Sequence, residues 1–281
     1  MAKIAIVTDS TANLPSELVE RYGIHVVPNL LIFGEQTFRD GVDITPQEFY
    51  RRLREDKHLP TTSAASVGDF LRVYAKLSRE AEAIISIHVP KELSAIFSAA
   101  QMASELIEGI PIHVIDARTA AIGQGLVVLE AARAAAGGQS LAEILHRIED
   151  IIPKVDLLVT LDTLEYLHRG GRVPAVAALV SSVLQIKPII YVKDGATGVL
   201  EKPRTRARAV RRMLEIMEER VGSSPVHTAV MHAEALKEAE KLRSEVASRF
   251  NCVELFITEF TPVMGAHTGP GVLGVAFWAE E

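Results

Sequence analysis

Short apolar runs, rich in valine and isoleucine, alternate along the chain with longer segments of helical periodicity. The runs lie at residues 3–9, 81–89, 110–116, 155–161, 187–192, 226–232, 252–258 and 272–278. Several of them are apolar throughout, which is typical of strands that are covered on both faces. The alternation of such strands with helices predicts an α/β fold.

Capping residues mark the starts of several helices. Thr45 precedes Pro46, and Glu48 is placed to complete a capping box with Thr45. Ser66 and Ser94 are predicted to cap the helices that follow them.

Residues 192–201 predict a hairpin that turns at Asp194-Gly195 or at Gly198. At least part of one sheet is therefore antiparallel.

A chain of 281 residues exceeds one average domain. Gly137-Gly138 and Pro153 interrupt the pattern near its middle. We expect two domains, residues 1–154 and 155–281.

Composition narrows the class of protein. Apolar residues make up 48% of the chain, and the formal net charge is -6, which argues against a nucleic-acid partner. Cys252 is the single cysteine, so an internal disulfide is excluded. The apolar run at 175–192 is broken by Gln185, Lys187 and Pro188, and no signal-peptide pattern precedes the first strand. We expect a cytoplasmic protein without an integral membrane segment.

Hydroxyl groups gather at the predicted strand and helix ends. Asp9 ends the first strand, where ligands bind in open α/β sheets, although a turn whose side chains bond their own backbone explains it equally well. Thr62 and Ser63 lie in a hydroxyl-rich loop before a helix, and Ser94 begins another. These positions could hold a carboxylate or a phosphate, or could be an ordinary loop and an ordinary cap.

Arginines flank the glycine pair Gly170-Gly171, which follows a short predicted helix. Arg169 and Arg172 could bind an anion or a partner's carboxylates, whereas the glycines alone are a common helix stop.

A second arginine cluster begins at Arg204. Arg204 and Arg206 precede a predicted helix and are the better candidates for partner contact. The arginines at 208, 211 and 212 fall on helical spacing and are most simply a solvated face.

His267 and Thr268 stand between glycines, beside the last strand. We predict a turn at this point, and it could be structural or could bind a ligand. Metal-ligand spacings and the Walker A and G-x-G-x-x-G patterns are absent from the sequence, which predicts neither a metal site nor a nucleotide site.

The stretches VTDST, TTSAAS, ELSAIFSAA, TLEYLHRGGRV and GAHTGPGVLGVAF resemble the DegV family, the fatty-acid-binding subunits of bacterial fatty acid kinase. The likeness keeps the family's order along essentially the whole chain. It implies an N-terminal, mostly parallel sheet with helices on both faces and a C-terminal mixed α/β domain, with a long-chain fatty acid between them. It also implies a separate ATP-dependent kinase subunit that phosphorylates the bound carboxylate for phospholipid synthesis.

The resemblance carries over to individual residues. It implies that the fatty-acid carboxylate is bound by Thr62, Ser63, Ser94, His267 and Thr268. It places Arg169 and Arg172 at the pocket mouth, and Arg204 and Arg206 at the face that meets the kinase. It implies no catalytic residue, no metal and no cofactor besides the fatty acid, and it permits transient contact with a membrane.

The chain departs from the family pattern near the head group. Ala64-Ala65 replaces Gln-Pro, Ala95-Ile96 replaces Gly-Thr, and His168 stands where Lys or Arg is usual. These changes spare Ser94 and His267 but alter their surroundings.

Two other functions stay open. Ser94 and His267 could be the nucleophile and base of a hydrolase, oriented by Asp9 or Asp116, although the Gly-x-Ser-x-Gly elbow is missing. The helix ends could instead bind a phosphorylated metabolite, which would require a polar pocket. We rank lipid binding first.

Overall fold

The structure, a computed structural model, describes residues 3–56, 59–174 and 186–280. None of the described helices combines the length and the hydropathy that a membrane span requires. Of the apolar run at 175–192, residues 175–185 lie outside the described residues.

The described strands and helices alternate along most of the chain, as predicted. The strands are β1 (Ile4–Asp9), β2 (His25–Val27), β3 (Leu30–Phe33), β4 (Gln36–Arg39), β5 (Thr61–Ser63), β6 (Ala83–His88), β7 (Ile112–Asp116), β8 (Asp156–Thr160), β9 (Ile189–Lys193), β10 (Ala196–Glu201), β11 (Val226–His232), β12 (Cys252–Glu259) and β13 (Leu273–Ala279). The helices are α1 (Ser16–Tyr22), α2 (Pro46–Glu55), α3 (Val67–Leu77), α4 (Ile96–Ser104), α5 (Ala121–Ala136), α6 (Leu141–Ile151), α7 (Glu165–Gly170), α8 (Arg206–Val221), α9 (Leu236–Arg249) and α10 (Pro262–Thr268).

Two larger sheets confirm the predicted architecture. The first contains four parallel strands in the order β2-β1-β6-β7. The second is mixed and has the order β10-β9-β8-β13-β11-β12. Its β9–β10 hairpin turns at Asp194-Gly195, the first of the two turn positions that the sequence predicted, and both residues have positive φ. The protein is therefore an α/β protein with one parallel and one mixed sheet.

A third sheet, β4-β3-β5, was not predicted, because its strands are very short. The prediction of a loop at Thr62 and Ser63 was wrong: both lie in strand β5, where they pair with Leu31 and Leu30 of β3. Backbone pairing with β3 gives these hydroxyl residues a fixed strand geometry that their polarity alone does not indicate.

The predicted helix starts were correct at two positions and wrong at one. Thr45 and Ser66 cap α2 and α3 as expected, although Glu48 turns to the arginines at 51 and 52 instead of completing a capping box. Helix α4 begins at Ile96, with Ala95 as its cap, so Ser94 lies one residue before the cap.

Helix α5 is the element on which both larger sheets pack. It contacts β1 and β6 of the parallel sheet and β11 and β13 of the mixed sheet. One apolar core accordingly includes Val7 and Ile85 of the first sheet, Val127 of α5 and Ala276 of the second. Because this core is shared, the domain boundary between residues 154 and 155 stays a prediction.

A network of side chains with alternating charge joins α5 and α6 to the mixed sheet. Arg133 of α5 binds Glu254 of β12 at 2.5 Å and Glu130 at 2.6 Å, and Arg147 of α6 binds Glu130 at 2.7 Å. Glu254 also lies 2.9 Å from His227 Nδ1. The alternation of sign lets each charge stabilise its neighbours.

His227 is the histidine of this charge network. Its Nε2 lies 3.0 Å from Glu280, and its ring stacks on Trp278 with centroids 4.1 Å apart. Both ring nitrogens therefore face carboxylates, and both must carry protons to donate to them. Burial alone would lower the pKa of His227, but its bonds to Glu254 and Glu280 raise it above 6.5.

This arrangement predicts a loss of stability in alkali. A raised folded-state pKa means that the stabilisation is complete below pH 6.5 and is lost as the pH rises through the raised value. We expect His227→Gln to reduce the free energy of unfolding by about 2 kcal/mol at pH 6 and to flatten its dependence on pH. Denaturant unfolding between pH 6 and pH 9 checks this, with His146→Gln, which changes an exposed histidine, as the control. Equal pH dependence in His227→Gln and the parent chain would contradict the interpretation.

Candidate functional site

A cavity of about 380 Å³ lies where the three sheets meet. Thr11, Val89 and Ala120 reach it from the carboxyl ends of β1, β6 and β7, the edge at which open α/β sheets bind ligands. Thr62 reaches it from the small sheet and Val159 from the mixed sheet. A cavity of this size is within the range of small-molecule sites.

The cavity wall is mainly apolar. Its apolar members are Ala64, Val89, Leu93, Ala95, Ile96, Ala120, Ala121, Leu157, Val159, Leu161, Leu167, Val173, Ile190, Val192, Phe260, Val263 and Met264. Its polar members are Thr11, Asn29, Thr62, Ser63, Ser94, Arg172, Thr197, His267 and Thr268. All five predicted carboxylate-binding residues are thus brought to one cavity. The mainly apolar wall does not match the polar pocket that a phosphorylated metabolite would need.

Thr62 and His267 form the polar pair at this wall. Thr62 Oγ1 and His267 Nε2 lie 2.8 Å apart. The predicted turn at His267 was wrong, because His267 lies in the last turn of α10 and the chain leaves the helix only at Gly269. Burial and the nearby Arg172 guanidinium lower the pKa of His267 to about 4, so the imidazole is neutral at physiological pH.

The glycine pair at the end of α7 has two roles, and Gly170 makes room for this imidazole. A Cβ on Gly170 would stand 2.8 Å from His267 Nδ1. Gly171 has a φ of +66° and ends the helix, which confirms the predicted helix stop. Gly170 is therefore required by close approach and Gly171 by backbone conformation.

The glycines after His267 are required for similar reasons. Gly269 and Gly271 have φ values of +73° and +81°. A side chain on Gly269 would collide with the ring of Tyr166, and one on Gly271 with the carboxylate of Asp162. Glycine is needed here because the chain that follows α10 passes through a narrow space between α7 and the segment after β8.

Ser94 and Thr268 differ in what their hydroxyls can still do. Ser94 Oγ accepts from Ile96 N at 3.3 Å, which leaves its O–H group able to donate to a ligand. Thr268 Oγ1 donates to the Met264 carbonyl at 2.9 Å, so its proton is already engaged within α10. Ser63 is exposed and donates to the Ala64 carbonyl at 3.3 Å.

The four predicted arginines take different positions. Arg172 is exposed and also lines the cavity, which places it at the opening. Arg169 pairs with Glu165 at 2.9 Å and is not among the described lining residues. Arg204 is exposed on a separate surface groove. The prediction that Arg206 precedes its helix was wrong, because it is the first residue of α8.

A buried carboxylate organises the cavity's inner wall. Asp9 Oδ1 accepts from Thr11 N and from Asn29 Nδ2, at 2.9 Å and 3.2 Å. Asp9 Oδ2 lies 2.8 Å from His88 Nδ1 and 3.1 Å from Gln124 Nε2. Burial alone would raise the pKa of Asp9, but the bonds from His88 and Thr11 lower it below 3.8. The predicted turn with local backbone bonds is confirmed, and the long-range bonds are additional.

Asn29 lines the cavity although the sequence did not indicate it. Its Oδ1 accepts from Ala65 N at 3.1 Å, and its Nδ2 is held by Asp9 and by Ser10. No nearby motif marks Asn29, because its partners lie in other strands and loops. Only the folded chain brings them together.

Neither of the two carboxylates that the hydrolase alternative could use is placed to orient His267. Asp9 faces His88, not His267. Asp116 accepts from the backbone N of Arg118 at 2.7 Å. Neither carboxylate is the hydrogen-bond partner of His267.

The proposed nucleophile and base are also not paired with each other. His267 Nε2 is bonded to Thr62, and its Nδ1 faces Gly170. Within the described ranges, no hydrogen bond joins Ser94 to His267. The geometry does not support a serine hydrolase.

One cluster has the residue types of a metal site. Ligand atoms of Glu130, His227 and Glu254 lie within 4.8 Å of one another. Arg133, however, donates to both glutamates, at 2.6 Å and 2.5 Å. A guanidinium therefore already provides the positive charge that a metal ion would bring.

Comparisons with known proteins agree with this fold. The family model described as "Uncharacterised protein, DegV family" matches residues 3–280. A DegV domain-containing protein of Halalkalibacterium halodurans is 37% identical over 100% of both chains, and the protein DegV of Bacillus subtilis is 33% identical over 98% of each. The chain belongs to the DegV family.

Solved structures of similar proteins give the same result. A fatty-acid-binding DegV family protein from Thermus thermophilus has a TM-score of 0.93 and 32% identity over 100% of both chains. DegV of Bacillus subtilis, described as a fatty acid binding protein, has a TM-score of 0.91 and 32% identity over 100% of both chains. A stearic-acid-binding protein from Eubacterium ventriosum has a TM-score of 0.90 and 26% identity, and the match covers 99% of this chain and 98% of that one.

The close contact at Gly170 yields a test of the site. In Gly170→Ala the added methyl group displaces the imidazole of His267, which breaks its bond to Thr62. A displaced imidazole loses part of the burial that lowers its pKa, so we expect the pKa of His267 to rise from about 4 towards 6.5. Loss of the hydrogen bond should reduce stability by about 1 kcal/mol. Histidine NMR titration and thermal unfolding measure the two effects.

Gly68→Ala is the matched control, because Gly68 lies in a helix with no atom closer than 3.7 Å to the added carbon. A wild-type His267 titration in Gly170→Ala would refute the positional role of Gly170.

Proposed function

We propose that the chain binds a long-chain fatty acid in the cavity, with the carboxylate beside Ser94, Thr62 and His267. The observation that carries the proposal is the composition of the cavity, whose apolar wall ends at this small polar group. Relatives of the same fold that are described as fatty acid binding support it. No catalytic group and no cofactor is part of the proposal.

The acyl tail supplies most of the affinity in this proposal. Burying one methylene group is worth about 0.8 kcal/mol, so a tail of about 15 gains on the order of 12 kcal/mol before the costs of association. The tail would lie against the apolar side chains of β8 and β9, among them Leu157, Val159, Ile190 and Val192. A long apolar ligand in the cavity would bury these side chains against its methylene groups.

The polar group orients the ligand. Ser94 has a free O–H donor, and the Thr62–His267 pair can offer a second one, because the neutral imidazole can donate to Thr62 while the Thr62 hydroxyl donates onward. Two neutral donors stabilise a carboxylate without placing a full opposite charge inside the cavity. Arg172 adds a positive charge at the opening.

We further propose that the bound carboxylate is presented to a separate ATP-dependent kinase subunit, which forms an acyl phosphate for phospholipid synthesis in the cytoplasm. The position of the polar group beside Arg172, at the cavity opening, supports this arrangement. A second cationic surface, a groove lined by Lys202, Arg204, Arg208 and Arg211, provides a candidate docking face. Arg169, tied to Glu165, is the weaker candidate for contact with the partner.

Denaturing extraction followed by mass spectrometry tests the central proposal. Protein purified without added lipid should release a long-chain fatty acid in near-stoichiometric amount. The proposal would be overturned if the extract contained phosphorylated metabolites. It would also be overturned if no fatty acid were recovered even after the protein had been incubated with oleate and palmitate.

A variant that fills the cavity sharpens this test. In Val192→Trp the indole ring occupies space needed by the tail, so extraction should recover less than about half of the wild-type fatty acid. Val253→Trp is the matched control, because Val253 lies on β12 with 53% of its surface exposed. Thermal unfolding checks that both variants are folded. Full occupancy in Val192→Trp would mean that the fatty acid binds elsewhere.

The division of labour between tail and head group predicts the effect of Ser94→Ala. Loss of one hydrogen bond to the carboxylate should weaken binding no more than about tenfold. Phosphorylation of the bound fatty acid by the kinase subunit should fall further, because the head group is no longer held in one orientation. Binding titrations and a coupled kinase assay measure the two effects, with Ser104→Ala at the other end of α4 as the control. Abolished retention with normal turnover of residual lipid would contradict this division.

A further inference from the structure

The side chain of Arg206 points back into the protein. Its Nη1 donates to the Gly271 carbonyl at 2.5 Å and to Asp162 Oδ1 at 3.0 Å. Only 22% of the side chain is exposed. Arg204, two residues earlier, is exposed on a surface groove. The two arginines of this segment therefore have different environments.

Arg206 holds one side of the turn that leads out of α10. Gly269 N donates to the Gly265 carbonyl at 2.7 Å, which closes the helix. Gly271 N donates to the Ala233 carbonyl at 2.7 Å. The backbone thus satisfies the N–H groups of the turn, while Arg206 satisfies the Gly271 carbonyl.

Asp162 is held in place beside the same turn by two cationic side chains. Lys187 Nζ donates to the Asp162 carbonyl at 2.7 Å and lies 3.5 Å from Asp162 Oδ1. The Asp162 carboxylate is packed so closely on Gly271 that a side chain there would collide with it. Arg206 and Lys187 together hold Asp162 against the turn.

The turn from Gly269 to Gly271 limits the position of His267, because His267 lies only two residues before Gly269. The imidazole has little freedom, because Thr62 lies 2.8 Å from Nε2 and Gly170 leaves no spare space beside Nδ1. A small displacement of the last turn of α10 would break the Thr62–His267 bond.

We propose that Arg206 is a positioning residue of the head-group site, acting on His267 through the turn from Gly269 to Gly271. The statement about the head group rests on the proposed fatty-acid function, whereas the effect on His267 does not. Arg206 then serves the site from inside the protein, and Arg204 is the member of the pair that is available to a partner.

Arg206→Gln and Arg204→Gln form a matched pair for the test. Glutamine removes the charge and cannot reach both acceptors of Arg206. A shifted α10 would leave the imidazole of His267 less buried, and burial is the main cause of its low pKa. In lipid-extracted protein, NMR titration of Arg206→Gln should therefore show the pKa of His267 rising from about 4 towards 6.5, with wild-type behaviour in Arg204→Gln. Affinity for oleate should fall about tenfold in Arg206→Gln only.

Two further variants guard against a simple folding defect. Arg206→Lys keeps the charge and can reach one acceptor, so it should restore part of the His267 titration. Asp162→Asn removes the ion pair and should shift His267 in the same direction as Arg206→Gln. Wild-type titration of His267 in Arg206→Gln, or equal shifts in both glutamine variants, would overturn the proposal. A parent chain that binds no oleate would refute the proposed function while the His267 titration still decides the role of Arg206.

Discussion

The ionised carboxylate of Asp9 is the interaction on which the cavity's inner wall depends. It is fully buried, and such a charge is tolerated only when donors surround it. Five hydrogen bonds do so, from the backbone and hydroxyl of Thr11 and from Asn29, His88 and Gln124. Thr11 directly follows β1, whereas the other donors come from β6, from α5 and from the segment between β2 and β3. A single charge therefore joins the end of β1 to three other parts of the chain and positions two cavity residues.

A second constraint, the close approach of α7 and α10, determines the geometry around His267. Gly170 faces His267, and Tyr166 faces Gly269, with too little room for added side chains. The imidazole is consequently held against Thr62 in an environment that keeps it neutral. A neutral imidazole held in place and a mainly apolar wall are what the proposed binding of a fatty acid requires. The hydrogen bonds of Arg206 extend the same rigidity to the surface of the mixed sheet.

The repeating apolar runs predicted the longer strands, because a strand buried on both faces needs apolar residues at every position. The same reasoning could not find β5, where pairing with β3 places Thr62 and Ser63 in a strand despite their polar side chains. Ser94 was placed at a helix start through its capping propensity, yet Ala95 occupies the cap and α4 begins at Ile96. Spacing likewise grouped Arg204 with Arg206, although the fold turns one outwards and the other inwards.

By itself the sequence determined the α/β class, the glycine-rich helix ends and the residue types of the proposed head-group site, since these depend on local periodicity and on motifs of neighbouring residues. Tertiary structure alone decided that Thr62 and His267 meet and that Asn29 lines the cavity. It also decided that Asp9 bonds to His88 and not to His267. The physical reason is distance along the chain. Each of these contacts joins residues from separate elements, and its geometry is set by how the sheets pack around α5.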